Sequence, residues 1–473
     1  MLYRLAFIFS LSLMLISCAD TEAPGPLSAT DLQQASAIAN QVLESNPGYD
    51  IVESLTTEVG QRMAGTEGDA LAVKWAIAKF NELGFDKVWT EPVTFPTWQR
   101  GVERASITSP FKQNIIVTAL GRSIGTPEEG ITGEIAQFDT LADLQAAERG
   151  EVEGKIVFIS KKMPRYKDGH GYGQTVTARS LGAIEASKKG AKAIIIRSVG
   201  TDSDRLPHTG NMRYEEGIAK IPGAAVSNPD ADLIMNMLKR DMPVIFNMTL
   251  GSAAGKVYTS YNVIGEITGS TYPDEIVLLG AHLDSWDLGT GAIDDGAGVG
   301  IVMAAAERIK VLAKQRPKKT IRVVLFANEE QGLYGGRAYA NKHRDNLSKH
   351  IVGAESDFGA GVIYKMSTKF KDSALPVAQQ IMTVLEPLGV EWGNNEATGG
   401  PDLIHSRGYG MAVVNLYQDG TDYFDYHHTA NDTLDKIVPE SLTQNVAVYS
   451  AFAYLMAQLD GDVGFFPPSG ETD

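Results

Sequence analysis

The sequence predicts an α/β protein: a three-layer sandwich around a mostly parallel central sheet, with a β-rich domain inserted before it. Beyond residue 256, short apolar runs typical of buried strands alternate with longer stretches typical of helices. Residues 100–255 contain closely spaced β-like runs instead, so this block is predicted to be an insertion. Residues 30–96 carry helical periodicity and one strand-like run.

Each predicted element follows from its own pattern. Helices are predicted where apolar residues recur every three to four positions, and strands where apolar residues alternate or form short runs bounded by turn residues. Gly84, for example, ends the second predicted helix. The predicted helices cover 32–43, 70–83, 177–189, 296–312, a stretch beyond 335, 374–388 and 441–459, and the predicted strands cover 87–95, 131–138, 155–160, 191–196, 275–279, 320–326, 350–354 and 411–415.

The composition is that of a globular protein with a large core. The chain has 473 residues, of which 43% are hydrophobic and 21% are charged. Its formal net charge of -16 argues against nucleic acid as a partner, because phosphate binding needs a basic surface. Cys18 is the single cysteine, so no disulfide is expected and stability must come from the core.

The N-terminal residues 1–17 are predicted to be an export signal. The apolar run over 5–16 is too short to remain as a membrane-spanning helix. It leads into Leu-Ile-Ser-Cys, which has the form of a bacterial lipobox, so we expect a lipid on Cys18 and a flexible tether over 18–29. Ala19 favours the outer membrane over the inner one, which predicts a periplasmic lipoprotein. A plain secretory signal and a secreted protein are the alternative.

Clusters of histidine and acidic residues follow the predicted strands of the C-terminal part. Such groups are uncommon directly after buried strands unless they are paired or bind metal. Two histidines and three carboxylates suit two zinc ions, with one carboxylate shared between them. A lone His-x-Asp is more often a hydrogen-bonded pair, but five successive clusters favour a metal centre. The clusters occupy 281–285, 291–296, 328–332, 355–357 and 426–433.

These motifs resemble those of the co-catalytic zinc exopeptidases, which include the bacterial leucyl aminopeptidases and glutamate carboxypeptidase II. The resemblance is strongest to the carboxypeptidase Q branch, and the inserted segment resembles a protease-associated domain. The motifs occur in the family's order: His-x-Asp at 282–284, Asp-Asp-Gly-x-Gly at 294–298, Asn-Glu-Glu-x-Gly at 328–332, Glu-Ser-Asp at 355–357 and His-x-x-x-Asp-Thr at 428–433.

The resemblance implies the zinc exopeptidase fold and completes the division of the chain. It covers 256–460, and the N-terminal segment completes the peptidase domain. The expected parts are a signal peptide at 1–17, a lipidated tether at 18–29, the first part of the peptidase domain at 30–99, the inserted domain at 100–255 and the catalytic part of the peptidase domain at 256–473.

The resemblance also implies a ligand set for two zinc ions. Asp294 is expected to bridge the two metals. His282 and Asp357 are expected to complete one zinc site, and Glu330 and His428 the other.

Two further roles are implied by the same motifs. Glu329 is expected to be the general base, which accepts a proton from a metal-bridging water and later passes it to the leaving amine. Asp284 is expected to fix the imidazole of His282, as outer partners of metal ligands commonly do. The family also implies a cis peptide bond between Asp294 and Asp295.

Several residues keep a second interpretation. His427 is an alternative to its neighbour as a ligand, and Glu355 is an alternative to the aspartate two positions later. Asp295 is expected to cap the following helix. Asp402, in a glycine-rich loop, is a candidate substrate contact, although a structural role accounts for it equally well. Tyr426 and Tyr423 are candidates to line the pocket, and core packing accounts for them equally well. No role is assigned to the histidines without a motif: His170, His208, His343, His350 and His405.

The sequence therefore predicts a zinc-dependent exopeptidase that hydrolyses short peptides, above all dipeptides. The alternatives are a broad aminopeptidase acting on longer peptides, a non-catalytic receptor-like binding protein of the same fold, and a single-zinc acyltransferase similar to glutaminyl cyclases. Homodimers are common in the family that it resembles, so a second copy of the chain is one expected partner. A further hypothesis is that the inserted domain roofs the cleft and so excludes long peptides.

Overall fold

Within residues 27–467, which the computed structural model describes, the chain forms two eight-stranded sheets with helices packed against them. The predictions for residues 1–26, including the signal peptide and lipidated Cys18, lie outside this range. The strands in chain order are β1 (Lys87–Gln99), β2 (Glu103–Ser109), β3 (Gln113–Ile115), β4 (Val117–Ala119), β5 (Ile131–Phe138), β6 (Ile156–Ile159), β7 (Ala193–Arg197), β8 (Gly223–Val226), β9 (Ile245–Leu250), β10 (Ala253–Ile267), β11 (Tyr272–His282), β12 (Lys319–Phe326), β13 (His350–Glu355), β14 (Ile363–Lys369), β15 (Glu391–Trp392) and β16 (Val413–Gln418).

The helices alternate with the strands in the second half of the chain, as predicted. In chain order they are α1 (Ala29–Glu44), α2 (Gly48–Glu58), α3 (Glu67–Glu82), α4 (Leu141–Ala146), α5 (Arg149–Val152), α6 (Thr177–Lys188), α7 (Asn228–Leu238), α8 (Ala297–Leu312), α9 (Tyr334–His343), α10 (Leu375–Leu385), α11 (Ile404–Gly408), α12 (Tyr423–Tyr426) and α13 (Pro439–Gln458). None of the helices in the described range is long and apolar enough to cross a membrane.

The first sheet has the strand order β1-β10-β12-β11-β13-β16-β14-β15. Its centre, β12-β11-β13-β16, is parallel, whereas β1, β10 and β14 each run antiparallel to a neighbour. The predicted α/β fold class is confirmed. The parallel part is narrower than the sequence suggested, because β10 and β14 were not recognised as strands.

The centre of the first sheet is covered on both faces. Val277 and Leu279 of β11 belong to the buried cluster that contains α8 and α13, whereas Ile276 and Leu278 pack with Tyr339 of α9. A strand covered on both faces is apolar at every position, which is why 276–281 is an uninterrupted apolar run. These contacts make the three layers of the sandwich.

Helix α1 begins earlier than predicted, at the end of the expected tether. The Ser28 side chain accepts a hydrogen bond from the backbone N–H of Asp31, and the Asp31 carboxylate accepts one from the N–H of Ser28, which forms a capping box. Leu27 is buried, and its backbone bonds with both ends of the Gln380 amide. The chain is therefore fixed to the fold from residue 27 onward.

The second sheet is built from residues 103–250, which lie within the expected insertion. Its strand order is β3-β2-β9-β5-β6-β7-β8-β4, with β5 to β8 parallel. Strands β1 and β10 enter and leave this unit as one long antiparallel ribbon, since Gln99 pairs with Ala253 and Lys87 with Glu266. The insertion is thus attached to the first sheet through a continuous ladder.

An acidic side chain on β1 joins that strand to α9. The Glu91 carboxylate accepts hydrogen bonds from Nε2 of His343 at 3.0 Å and from Nε1 of Trp89 at 3.2 Å, and Nζ of Lys342 lies 3.1 Å away. Burial opposes ionisation, but these hydrogen bonds and the charge of His343 outweigh it and lower the pKa of Glu91 to about 2.

Replacing Glu91 with glutamine is expected to destabilise the protein by about 1–3 kcal/mol at pH 7, as loss of a buried charged hydrogen-bond acceptor does. A depressed carboxyl pKa stabilises the fold above pH 4.5, and this contribution is lost as the pH falls toward 2. Urea unfolding at several pH values should therefore show the difference between wild type and variant shrinking below pH 4.5. The exposed Glu82→Gln control should cost less than about 0.5 kcal/mol, and a pH-independent difference for Glu91→Gln would contradict the assignment.

Candidate metal centre

The acidic and histidine clusters meet at one edge of the first sheet. Strand β11 ends at His282, β12 ends shortly before Glu329 and Glu330, and β13 ends two residues before Asp357. Because these neighbouring strands are parallel, their carboxyl ends lie at the same edge, where α/β proteins gather their functional residues.

His282 is oriented so that one ring nitrogen faces two carboxylates. Its Nδ1 donates a hydrogen bond to the backbone carbonyl of Asp284 at 3.0 Å. Its Nε2 lies 3.0 Å from Oδ1 of Asp294 and 3.5 Å from Oδ1 of Asp357. Burial opposes protonation of the ring, but the charge of Asp357 and the contacts with both carboxylates raise the pKa of His282 well above its usual range. This nitrogen requires a positive partner, either a proton or a metal ion.

His428 repeats this arrangement on the other side of Asp294. Its Nδ1 donates to the backbone carbonyl of Thr209 at 3.2 Å. Its Nε2 lies 2.9 Å from Oε2 of Glu330 and 3.3 Å from Oδ2 of Asp294. Burial lowers the pKa of His428 in spite of the opposing contact with Asp294, which favours the neutral imidazole that a metal needs.

Asp294 lies between the two histidines. Its Oδ1 faces His282 and its Oδ2 faces His428, as a bridging carboxylate requires. Asp432 holds this segment in place, because its carboxylate accepts hydrogen bonds from the N–H groups of Ile293 at 2.6 Å and Asp294 at 3.2 Å. The peptide bond between Asp294 and Asp295 is cis, as the resemblance implied.

The donor set fits bound cations. Within the described range, the buried Oε1 of Glu330 has no hydrogen-bond partner. Burial raises the pKa of several carboxyls packed around the site, and ionising all of them requires added positive charge. These carboxyls belong to Asp295, Glu329, Glu330, Glu355, Asp357 and Asp402. Three groups of candidate ligands have their atoms within 4.8 Å of one another: His282 with Asp294 and Glu330, His282 with Asp295 and Asp357, and Asp294 with His427 and His428.

Glu329 is placed differently from its neighbour Glu330. It is half-buried and lines a cavity of about 360 Å³ that is also lined by His427 and His428. Its backbone N–H donates to Oδ1 of Asp284 at 3.0 Å. A carboxylate that borders both the metal ligands and an open cavity can reach a substrate, as a general base must.

The sequence predicts that the side chain of Asp284 fixes the imidazole of His282. In the structure the hydrogen bond to the imidazole comes from the backbone carbonyl of Asp284 instead, and Oδ1 of Asp284 lies 3.8 Å from the imidazole Nδ1. The carboxylate instead accepts the N–H of Glu329. Asp284 therefore supports both the ligand and the base, because the chain turns sharply after β11.

The two alternative ligands have different surroundings. His427 lies 3.5 Å from Asp294, belongs to one of the candidate ligand groups and stacks on His428 with ring centroids 3.5 Å apart. Glu355 turns away from the metal ligands and accepts hydrogen bonds from the N–H groups of Asp402 and Leu403.

Asp295 accepts hydrogen bonds from the N–H of Gly298 at 3.1 Å, in the first turn of α8, and from the N–H of His282 at 3.0 Å. A side chain at position 298 would lie 2.0 Å from the carbonyl oxygen of Ser356, which explains the second glycine of the Asp-Asp-Gly-x-Gly motif.

Neither proposed substrate contact lies in the cavity at the metal centre. Asp402 is fully buried, and its Oδ1 accepts the N–H of Gly336 at the start of α9, so it supports a helix. Tyr426 lines a neighbouring surface cavity, whereas Tyr423 borders the one with Glu329. Of the two tyrosines, Tyr423 therefore has the position that was predicted for a pocket-lining residue.

Three residues of the insertion line the cavity that contains Glu329: Tyr172, Arg179 and Asn211. The Asn211 amide donates to the backbone carbonyl of Glu330. Arg179 is 6% exposed and donates to the carbonyl of Thr209 and to the hydroxyl of Tyr172, while its Nε–H has no partner among the described residues. The insertion therefore forms one wall of the site.

A buried arginine holds the loop between two of the metal-ligand candidates. The guanidinium of Arg62 donates to the carbonyls of Leu283 and Thr290, each at 2.6 Å, and to that of Gly291 at 2.8 Å. This loop connects His282 to Asp294, so Arg62 fixes their separation. The role of Arg62 depends on contacts between segments that are distant in the sequence.

A buried set of imidazoles and carboxylates at the strand ends of an α/β sandwich, beside a cavity with a free carboxylate, defines a metal-dependent hydrolase. Comparison with known proteins narrows this class. A sequence model of peptidase family M28 matches residues 262–453. Carboxypeptidase Q of Xenopus laevis is 35% identical over 415 residues, which are 88% of this chain and 87% of that protein.

Solved structures agree with this match. The crystal structure of a peptidase M28 precursor from Shewanella amazonensis SB2B is 58% identical, with a TM-score of 0.91, and covers 93% of this chain and 99% of that one. The structure of BSAP, a zinc aminopeptidase from Bacillus subtilis, shares the fold at 22% identity, with a TM-score of 0.61 and coverage of 86% and 93%. The chain belongs to peptidase family M28, and it is a metallo-exopeptidase.

Proposed function

We propose that this metallo-exopeptidase is a zinc-dependent dipeptidase. In this proposal two zinc ions share Asp294, one completed by His282 and Asp357 and the other by Glu330 and His428. The choice of zinc is supported by the imidazole and carboxylate donors and by the fold shared with a zinc aminopeptidase. The observation that carries the dipeptide specificity is the buried Arg179 beside Glu329.

Arg179 supports recognition of a free substrate carboxylate. Among the described residues, the Nε–H of this buried guanidinium has no partner. In the wall of the cavity that contains the base, such a group suits a carboxylate bound through charge-assisted hydrogen bonds. The hydroxyl of Tyr172 and the carbonyl of Thr209 hold the guanidinium in place. A substrate whose carboxylate binds Arg179 would have its terminal peptide bond close to Glu329.

An acidic cavity adjoins the first one and suits a free amine. This second cavity, of about 170 Å³, shares Asp357 and Phe358 with the first and is also bordered by Asp168 and Glu355. A dipeptide carries a carboxylate and an ammonium group at its two ends. A site with a cationic wall on one side and carboxylates on the other is therefore complementary to a dipeptide zwitterion.

The proposed mechanism divides the chemistry between metal and protein. Zinc bound by these residues would polarise the scissile carbonyl and make a nucleophilic water available near neutral pH. Glu329 accepts the proton of the attacking water on its carboxylate and returns it to the leaving amine. Arg179 holds the terminal carboxylate so that the scissile bond stays beside Glu329.

Four related substrates test this function: a free dipeptide, its N-acylated form, its C-amidated form and a tetrapeptide. Zinc-dependent cleavage of the free dipeptide alone is expected. Cleavage of the amide and the tetrapeptide would instead show a broad aminopeptidase, and cleavage of the N-acylated form a carboxypeptidase. No cleavage of any of the four would contradict the proposal.

We also propose that the chain is exported and held at the outer membrane by a lipid on Cys18, on the strength of the sequence at 5–19. Cys18→Ser is expected to move the protein from the membrane fraction to the soluble fraction after the cells are fractionated. A substituted protein that stayed with the membranes, or a wild type found in the medium, would contradict the anchor.

A further inference from the structure

A histidine of the insertion, to which the sequence assigned no role, contacts the segment that carries the metal-ligand histidine. His208 is fully buried. Its Nδ1 lies 2.7 Å from the backbone carbonyl oxygen of His427, and its Nε2 lies 2.8 Å from Oδ1 of Asp202. A carbonyl oxygen can only accept, so Nδ1 donates to His427, and Nε2 faces the Asp202 carboxylate.

Hydrogen bonds within the insertion fix the position of His208. The backbone N–H of His208 donates to Oγ of Ser198, directly after β7, at 2.9 Å. Asp202 is held in turn by the Asn228 amide at 3.2 Å and by the N–H of Asp204 at 3.0 Å. The imidazole is thus a rigid donor whose position is set by the insertion.

Thr209, the residue after His208, contacts the metal-ligand candidate His428. The Thr209 N–H donates to the carbonyl of His428 at 3.0 Å, and the Thr209 carbonyl accepts the Nδ1–H of His428 at 3.2 Å. His428 has a φ of 63°, a backbone conformation that residues other than glycine adopt rarely and only when neighbouring groups hold them in it. The insertion supplies three hydrogen bonds that hold this conformation.

We propose that His208 is a positioning residue for the metal centre. By binding the carbonyl of His427 it keeps Thr209 against His428, which fixes the ring so that Nε2 points toward Asp294 and Glu330. Outer partners of this kind set both the orientation and the tautomer of a metal-binding imidazole. The insertion is then an integral part of the metal site. This inference rests on the proposed role of His428 as a ligand.

Two substitutions separate this role from a merely structural one. The amide nitrogen of an asparagine at position 208 lies near the place of Nδ1 and can still donate to His427, whereas that of a glutamine lies near the place of Nε2 and can reach only Asp202. In the mature full chain, zinc affinity measured by competition with a chromophoric chelator is expected to fall about tenfold in His208→Gln. It should stay within about threefold of wild type in His208→Asn.

His170 supplies a matched control, because it also belongs to the insertion and pairs with Asp168 at 2.6 Å but is about half exposed. His170→Gln should leave zinc affinity unchanged. Equal zinc affinities in the two His208 variants, whether both unchanged or both reduced along with the melting temperature, would overturn the positioning role. His428→Ala tests the assignment of His428 as a ligand separately from the role of His208. Unaltered zinc binding in this variant would refute the ligand assignment itself.

Discussion

Glu329→Gln is expected to lower kcat for a dipeptide by about 10²–10⁴-fold while leaving the zinc content of the protein unchanged. Glutamine keeps the size of the side chain but cannot accept the proton of the attacking water. The loss should therefore appear in kcat, with a much smaller change in KM. Steady-state kinetics combined with metal analysis of the same preparation would measure both quantities.

The adjacent glutamate provides the control. Glu330 lies 2.9 Å from His428, and its buried Oε1 has no partner within residues 27–467, so Glu330→Gln should lose zinc as well as activity. The two neighbouring residues would then be separated by metal content alone. A nearly active Glu329→Gln enzyme, or one that has lost its zinc, would contradict the assignment of Glu329 as the base.

Arg179→Gln is expected to lower kcat/KM for a free dipeptide by about two to three powers of ten, the equivalent of about 3–4 kcal/mol. The reason is the loss of the buried cation that pairs with the substrate carboxylate. Cleavage of the C-amidated dipeptide, which has no such charge, should change little. The preference for the free acid over the amide should therefore collapse.

The exposed Arg213 belongs to the same insertion and serves as a matched control. Arg213→Gln should retain the preference for the free carboxylate. Retention of that preference in a folded Arg179→Gln variant would show that the carboxylate binds elsewhere. Circular dichroism would check the fold, because the substitution also removes a partner from Tyr172.

The sequence could predict those site residues whose position depends only on the end of a single strand. A buried strand followed by polar residues was visible at His282, Glu330 and Asp357, and the parallel sheet brings such strand ends together. The fold class followed from the alternation of strands and helices beyond residue 256. Strand β10 was missed because its first half is exposed and carries few apolar residues in alternation.

The contributions that depend on the packing of distant segments could not be predicted. Arg179 lies within α6, and nothing in the local sequence pattern indicates that this helix faces the peptidase domain. His208 likewise has no motif, because its partners at 202 and 427 are set by tertiary contacts. For Asp402 the sequence left two roles open, because a glycine-rich loop suits substrate binding and helix support equally.

Anomalous diffraction from crystals of the zinc-loaded protein would test the proposed two-zinc centre bridged by Asp294. The data would be recorded on both sides of the zinc absorption edge. We expect two anomalous peaks. One should lie among His282, Asp294 and Asp357, and the other among Asp294, Glu330 and His428. A single peak, or peaks away from these side chains, would contradict the proposed two-zinc centre.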